Sequence, residues 1–360
     1  MRTIIGALIL VFFLASCGSH TIADPAGLTE PKKTPDSIAS ENAEKVVQIV
    51  YGWQLYDTTY NEIWQEYVSV VDSATKKKYF SALYFRNAEG KVEPYLNLKK
   101  NLKQGNPIAI SSTSCTGFVV SDDGYIVTTS SANSGWNDAY HFPESAFPGS
   151  LVSFENGKRK ITNGMVKPED VIGWVPTHAT MMGGHNIATG QITGRNTFLD
   201  VLFAGSALHR PVFSSKTSSD HDISIVKVDV PEALNPVALK DSFEVQPAME
   251  VVVSGYAPAQ KSDSVVIDTR VPINDAAPVP KISTGNINKI ISASSDSLFN
   301  GAFGDIYTLS MSPKDDSNNG APVFSAYGDV IGIFNQGTDG KGNKIPFVIP
   351  IKYAIGFKGK

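Results

Sequence analysis

Residues 317–322 read Ser-Asn-Asn-Gly-Ala-Pro, a polar run that gives way to apolar Val-Phe and then to Tyr-Gly-Asp-Val-Ile-Gly-Ile-Phe. A hydroxyl or thiol on such a turn attacks a carbonyl only if an imidazole and a carboxylate stand by to handle its proton. The turn centres instead on Asn319, whose amide nitrogen is not a useful nucleophile. Cys115, the only cysteine beyond Cys17, sits in Ser-Ser-Thr-Ser-Cys-Thr-Gly-Phe-Val-Val and reads as a small buried hydrophobe. His178 and His185 lack the i, i+4 spacing of helical metal ligands and have no cysteine or carboxylate close by. The glycine-rich stretch 181–194 contains no Gly-Lys-Ser/Thr, which argues against phosphate binding. Asp315 and Asp316 read as an acidic turn. No metal and no cofactor are expected.

The elements around these residues are strands. Thr116–Ser131 reads as strand, Asp-Gly turn, strand, and Asn156-Gly157 between two half-apolar runs is a type I′ hairpin signal. Segments 222–230, 249–256, 321–334 and 345–351 are rich in β-branched residues and bounded by Gly, Pro or Asp. Residues 58–71 fit helix or strand, and 41–45 fit a short helix leading into the strand-like 46–53. Many short strands with frequent turns predict an all-β barrel or sandwich. With 360 residues, 42% of them hydrophobic, the chain can bury a sizeable core. Its net charge of −4 argues against a nucleic-acid surface, and Thr75–Tyr79, the densest basic run, reads as a solvated turn.

Three separated segments together resemble the trypsin-like serine peptidases, in particular the HtrA/Deg-type branch. Residues 116–133 are similar to that branch's Ser-Gly-Phe-Ile-Ile-Ser…Asp-Gly-Tyr-Ile-Val-Thr-Asn-x-His-Val, and 218–258 to its Asp-Ile-Ala-Val-Ile-Lys-Ile region. Residues 317–337 are similar to Gly-Asn-Ser-Gly-Gly-Pro-Leu-Val followed by Gly-x-Val-Ile-Gly-Ile-Asn, and 345–351 to Gly-Phe-Ala-Ile-Pro. The matched stretches keep their order and span about a third of the chain. The resemblance implies a double β-barrel domain over residues 41–360, the first barrel about 41–215 and the second about 235–360. It places the catalytic base at Ser131, the orienting carboxylate at Asp222 and the nucleophile at Asn319, so only the aspartate is retained. The glycine of the oxyanion hole falls on Ser317, and the glycine before the proline on Ala321. Ser131 and Asp222 stand 91 positions apart, which implies an insertion. A histidine from it, His141 being nearest to Ser131 in sequence, could return to the cleft; His209 is another. His221, adjacent to Asp222, should face the other way.

The N-terminus reads as an export signal. Arg2 precedes an apolar core of about a dozen residues, short of the ~20 needed to span a bilayer. Leu-Ala-Ser-Cys at 14–17 resembles a bacterial lipobox, which implies a signal peptide over 1–16, a lipid on Cys17 and a flexible tether over 17–40. Gly18 after that cysteine favours an outer-membrane, periplasm-facing lipoprotein in a Gram-negative cell. The chain stops ten residues after Pro350, so the branch's PDZ module is expected to be absent. The expected activity is that of an inactive peptidase homologue, binding a protein or peptide partner or serving as a scaffold. A serine endopeptidase with a displaced site and a purely structural lipoprotein are the alternatives.

Overall fold

The computed structural model describes residues 31–71, 76–155, 158–241, 244–256, 279–311, 318–338 and 343–358. Cys17, Asp315, Asp316, Ser317 and the Asn156-Gly157 turn lie outside them. In chain order the strands are β1 (Val46–Asp57), β2 (Ile63–Val71), β3 (Lys78–Arg86), β4 (Val92–Pro94), β5 (Leu96–Leu98), β6 (Gly105–Pro107), β7 (Ala109–Val119), β8 (Tyr125–Thr128), β9 (Gly149–Glu155) and β10 (Lys158–Val166). They continue as β11 (Met181–Met182), β12 (His185–Asn186), β13 (Ile192–Phe203), β14 (Arg210–Thr217), β15 (Ser224–Val228), β16 (Glu250–Gly255), β17 (Lys281–Ile291), β18 (Ile306–Leu309), β19 (Pro322–Ser325), β20 (Val330–Thr338) and β21 (Lys344–Pro350). Among the described residues the α-helices are α1 (Pro35–Asn42), α2 (Ser131–Ser134) and α3 (Ile351–Lys358), all short.

Two barrels close, as the double-barrel reading requires. The first runs β1-β13-β14-β15-β8-β7 and the second β16-β17-β18-β21-β20-β19. Closure removes the free edges that a set of short strands would otherwise expose. The first barrel ends at Val228 in β15, beyond the expected limit near 215, because β15 is the strand that links β14 to β8. The seam between the barrels is a shared apolar core. Phe118, Val127, Ile223 and Ile225 of the first barrel pack there with Val252, Phe324, Ile333 and Phe347 of the second. Tyr256 crosses it, its hydroxyl donating to the Val46 carbonyl at 2.8 Å.

The segments between β1 and β7 and between β8 and β13 are not loose insertions. Their strands form a further sheet in the order β10-β9-β3-β2-β5-β11-β12, with β4 on β3 and β6 on β2. Residues 58–71, ambiguous in sequence, end in strand β2, whose inner half alternates buried Ile63, Gln65 and Tyr67 with less buried neighbours. One face buries Tyr67, Ala82, Tyr84 and Val166, and the other Leu83, Phe85, Tyr95 and Val152. An aromatic chain ties the sheet to the first barrel: Tyr84 meets Phe142, Phe142 meets Tyr140, and Tyr140 meets Trp53 on β1 edge-to-face. Buried Glu93 accepts from the Thr180 backbone (2.9 Å), the Thr180 hydroxyl (3.1 Å) and Asn87 (2.7 Å), so the two inserted segments share one satisfied carboxylate.

The tether expected over 17–40 ends earlier than its composition indicates. Thr34 caps α1 by accepting from the Ser37 N–H, Pro35 occupies the first turn and Asp36 complements the helix dipole. Ile38 on this helix is fully buried in the core between the barrels. The expected helix at 41–45 is the end of α1 continued by a 3₁₀ turn over Ala43–Lys45. Replacing Ile38 with alanine should cost about 2–5 kcal/mol in urea unfolding of the chain. A loss below about 0.5 kcal/mol would show that α1 is not docked.

Candidate functional site

Asp222 sits in the turn that leads into β15. The Ser218 hydroxyl accepts from the N–H groups of Asp220 and His221 (both 3.2 Å), and Ile223 donates to the His221 carbonyl at 2.7 Å. The two neighbouring side chains then part. His221 stacks on Tyr353 of α3, with ring centroids 3.7 Å apart. Asp222 turns instead toward the start of α2. Its Oδ1 accepts from the Ser130 backbone N–H at 2.7 Å and also from the Ser130 hydroxyl. Its Oδ2 accepts from the Asn335 side-chain amide on β20.

The residue on the carboxylate is therefore Ser130, not Ser131. The Ser131 hydroxyl pairs with Thr129 at 3.0 Å. Burial holds the Tyr51 phenol far above its ordinary value, opposed by its contact with the Ser131 side chain, so Tyr51 remains a neutral hydroxyl.

Asn319 follows Asn318 into a tight turn before β19. Its carbonyl accepts from the Thr116 N–H at 2.9 Å, Gly320 donates to the Phe334 carbonyl at 2.9 Å, and Ala321 donates to the Asn318 carbonyl at 2.8 Å. Gly320 holds φ +86, and a side chain there would run into the Thr116 carbonyl, so only glycine fits. The turn is thus pinned to β7 of the first barrel and β20 of the second. The Asn319 amide oxygen is buried without a hydrogen-bond partner. So are both polar atoms of the Gln336 side chain, beside Asn335. An orphaned buried amide costs roughly 1–3 kcal/mol. Neither Asn335 nor Gln336 is among the residues expected from sequence; their one signal is a polar pair that interrupts the apolar run Val330–Phe334.

The histidines lie elsewhere. His141, His178 and His185 are exposed, and His209 pairs with buried Asp200 at 3.2 Å. Among the described residues, none bonds Asp222 or Asn319. The glycine-rich stretch forms the short β11–β12 hairpin, and among the described residues no three His, Cys, Asp or Glu side chains cluster as metal ligands would. Cys115 is buried against Thr128, with sulfur and oxygen 3.4 Å apart. Burial, and then the charge of Asp222, push its thiol up to about 12.

The group nearest to a nucleophile is the Ser130 hydroxyl on Asp222. A carboxylate is a poor base for an alcohol, since general-base catalysis works best when the base titrates near the working pH. Among the described residues, no imidazole mediates between such groups.

A sequence profile for the trypsin-like peptidase domain matches residues 115–333, more than half of the chain. No curated protein matches. Among solved structures, the apo MamO protease domain of Magnetospirillum magneticum is 14% identical with a TM-score of 0.37, covering 68% of this chain and 87% of that one. AlgW, an HtrA-type protease with a tripeptide, is 11% identical with a TM-score of 0.44, covering 90% of this chain and 62% of that one. The chain thus spans less than two thirds of the AlgW structure.

The raised thiol makes a direct prediction. At pH 8 the thiolate of Cys115 should be roughly 10⁻⁴ of the population, so iodoacetamide should leave it unmodified in the native protein and alkylate it in urea. Peptide mapping reads the site. Rapid native alkylation would mean that Cys115 is an open, activated thiol.

Proposed function

The chain belongs to the trypsin-like peptidase domain family, and from that premise we propose that it is a catalytically inactive member that holds a protein or peptide partner in the cell envelope. The observation that carries this reading is the state of Asp222. Ser130 and Asn335 meet its two oxygens, while asparagine stands at the position that the resemblance gives to the nucleophile. Losing either the base or the nucleophile of a serine triad costs on the order of 10⁶ in turnover, and losing both costs little more because they act as a unit. That is roughly 8 kcal/mol of barrier.

The barrels, by contrast, keep closed, packed cores. An extended peptide held on such a fold by backbone hydrogen bonds is bound without being cleaved. No cofactor enters this activity. Anchorage is through a lipid on Cys17, with the outer membrane's periplasmic face the site in a Gram-negative cell.

Fluorophosphonate labelling and labelled-casein hydrolysis by the purified chain test the reading. Neither should exceed the background of denatured protein. Turnover that disappears in Ser130→Ala or Ser131→Ala would overturn it in favour of a displaced serine site.

A further inference from the structure

The outer half of the β2–β3 hairpin stands free of the sheet that carries it. Neighbouring strands reach β2 only at Ile63–Glu66, and β9 reaches β3 only at Leu83–Phe85. Beyond those positions Val71 pairs only with Lys78, Val70 with Tyr79 and Ser69 with Phe80. The arm is apolar where it has no protein to pack on: Val71 is 52% exposed, Phe80 55% and Tyr79 41%. Lys76, in a left-handed conformation at φ +57, Lys77 and Lys78 follow one another at its end. Lys76 and Lys78 enter no ion pair among the described residues.

We propose that this arm is a membrane contact that seats the folded unit on an anionic lipid surface. Two features favour lipid over a protein groove. Successive strand residues point to opposite faces, so Val71 and Phe80 lie on one face and Tyr79 with Val70 on the other. A groove covers one face of a hairpin, whereas the acyl–headgroup boundary wets both. Second, consecutive lysines adjoin a tyrosine and a phenylalanine in a chain whose net charge is −4. Lysine stems reach phosphates while aromatic rings settle at the interface, and each lysine near an anionic surface strengthens the contact about fivefold. The inference rests on the envelope reading above. Lys33, tied to the second barrel through its N–H to the Ala326 carbonyl, is sixteen residues from Cys17. Even a fully extended chain of that length keeps the folded unit within about 55 Å of a lipidated Cys17.

The test uses the full chain reconstituted in phosphatidylethanolamine–phosphatidylglycerol vesicles, with Phe80 replaced by photoreactive p-benzoylphenylalanine. Irradiation should give a lipid adduct at position 80, reduced at least about tenfold in phosphatidylcholine vesicles and in K76E/K78E. The same replacement at Phe213, which is 64% exposed on β14, should give little adduct. The proposal is overturned if position 80 gives no more adduct than position 213, if lipid charge and the lysine substitutions leave its yield unchanged, or if it crosslinks a second copy instead. The mass of the Cys17 peptide reports separately on lipidation, so a failed envelope reading is distinguishable from an arm that ignores lipid.

Discussion

A carboxylate withdrawn from water must be met by donors, or its burial opposes folding. Asp222 is partly buried and is met from both barrels, by Ser130 at the mouth of the first and by Asn335 on β20 of the second. The arrangement of the seam follows from that double demand. α2 must start where Ser130 can present both its N–H and its hydroxyl, and β20 must hold Asn335 opposite. Asn335 is held in turn by its own Oδ1, which accepts from the Gln336 N–H at 2.7 Å. In a working triad the carboxylate orients an imidazole. Here it bridges two barrels.

Around that bridge, the polar groups divide into satisfied and unsatisfied sets. Thr116 bonds across the seam, its hydroxyl accepting from the Tyr256 N–H at 3.0 Å and its N–H donating to the Asn319 carbonyl at 2.9 Å, while within the first barrel the Thr128 hydroxyl donates to the Thr116 carbonyl at 2.8 Å. The Asn319 amide oxygen, both polar atoms of the Gln336 side chain and Nδ1 of His221 are left over, buried without a partner, and each such group opposes folding locally.

Much of this was legible in the sequence, for reasons that differ by element. The barrel strands announce themselves by β-branched content and turn residues, and the Gly-Ala-Pro register fixes Asn319 because only glycine tolerates the backbone at 320. The choice between Ser130 and Ser131 was not legible. A hydroxymethyl group reaches less far than an imidazole, so the residue whose backbone already faces Asp222 takes the contact. Helix α1 was hidden by composition, although Thr34-Pro35-Asp36 is a capping signal and Ile38 an anchor. The inserted sheet was hidden because its decisive pairing, β3 beside β9, is parallel and joins segments more than sixty residues apart, where local pattern sets no register.

Asp222 joins the two barrels through Ser130 and Asn335. A double-mutant cycle between Asp222→Ala and Asn335→Ala, read by urea unfolding, measures that directly. The expected coupling energy is about 1.5–3 kcal/mol, the range of a hydrogen bond to a charged group. Single losses that add to within about 0.5 kcal/mol would contradict it.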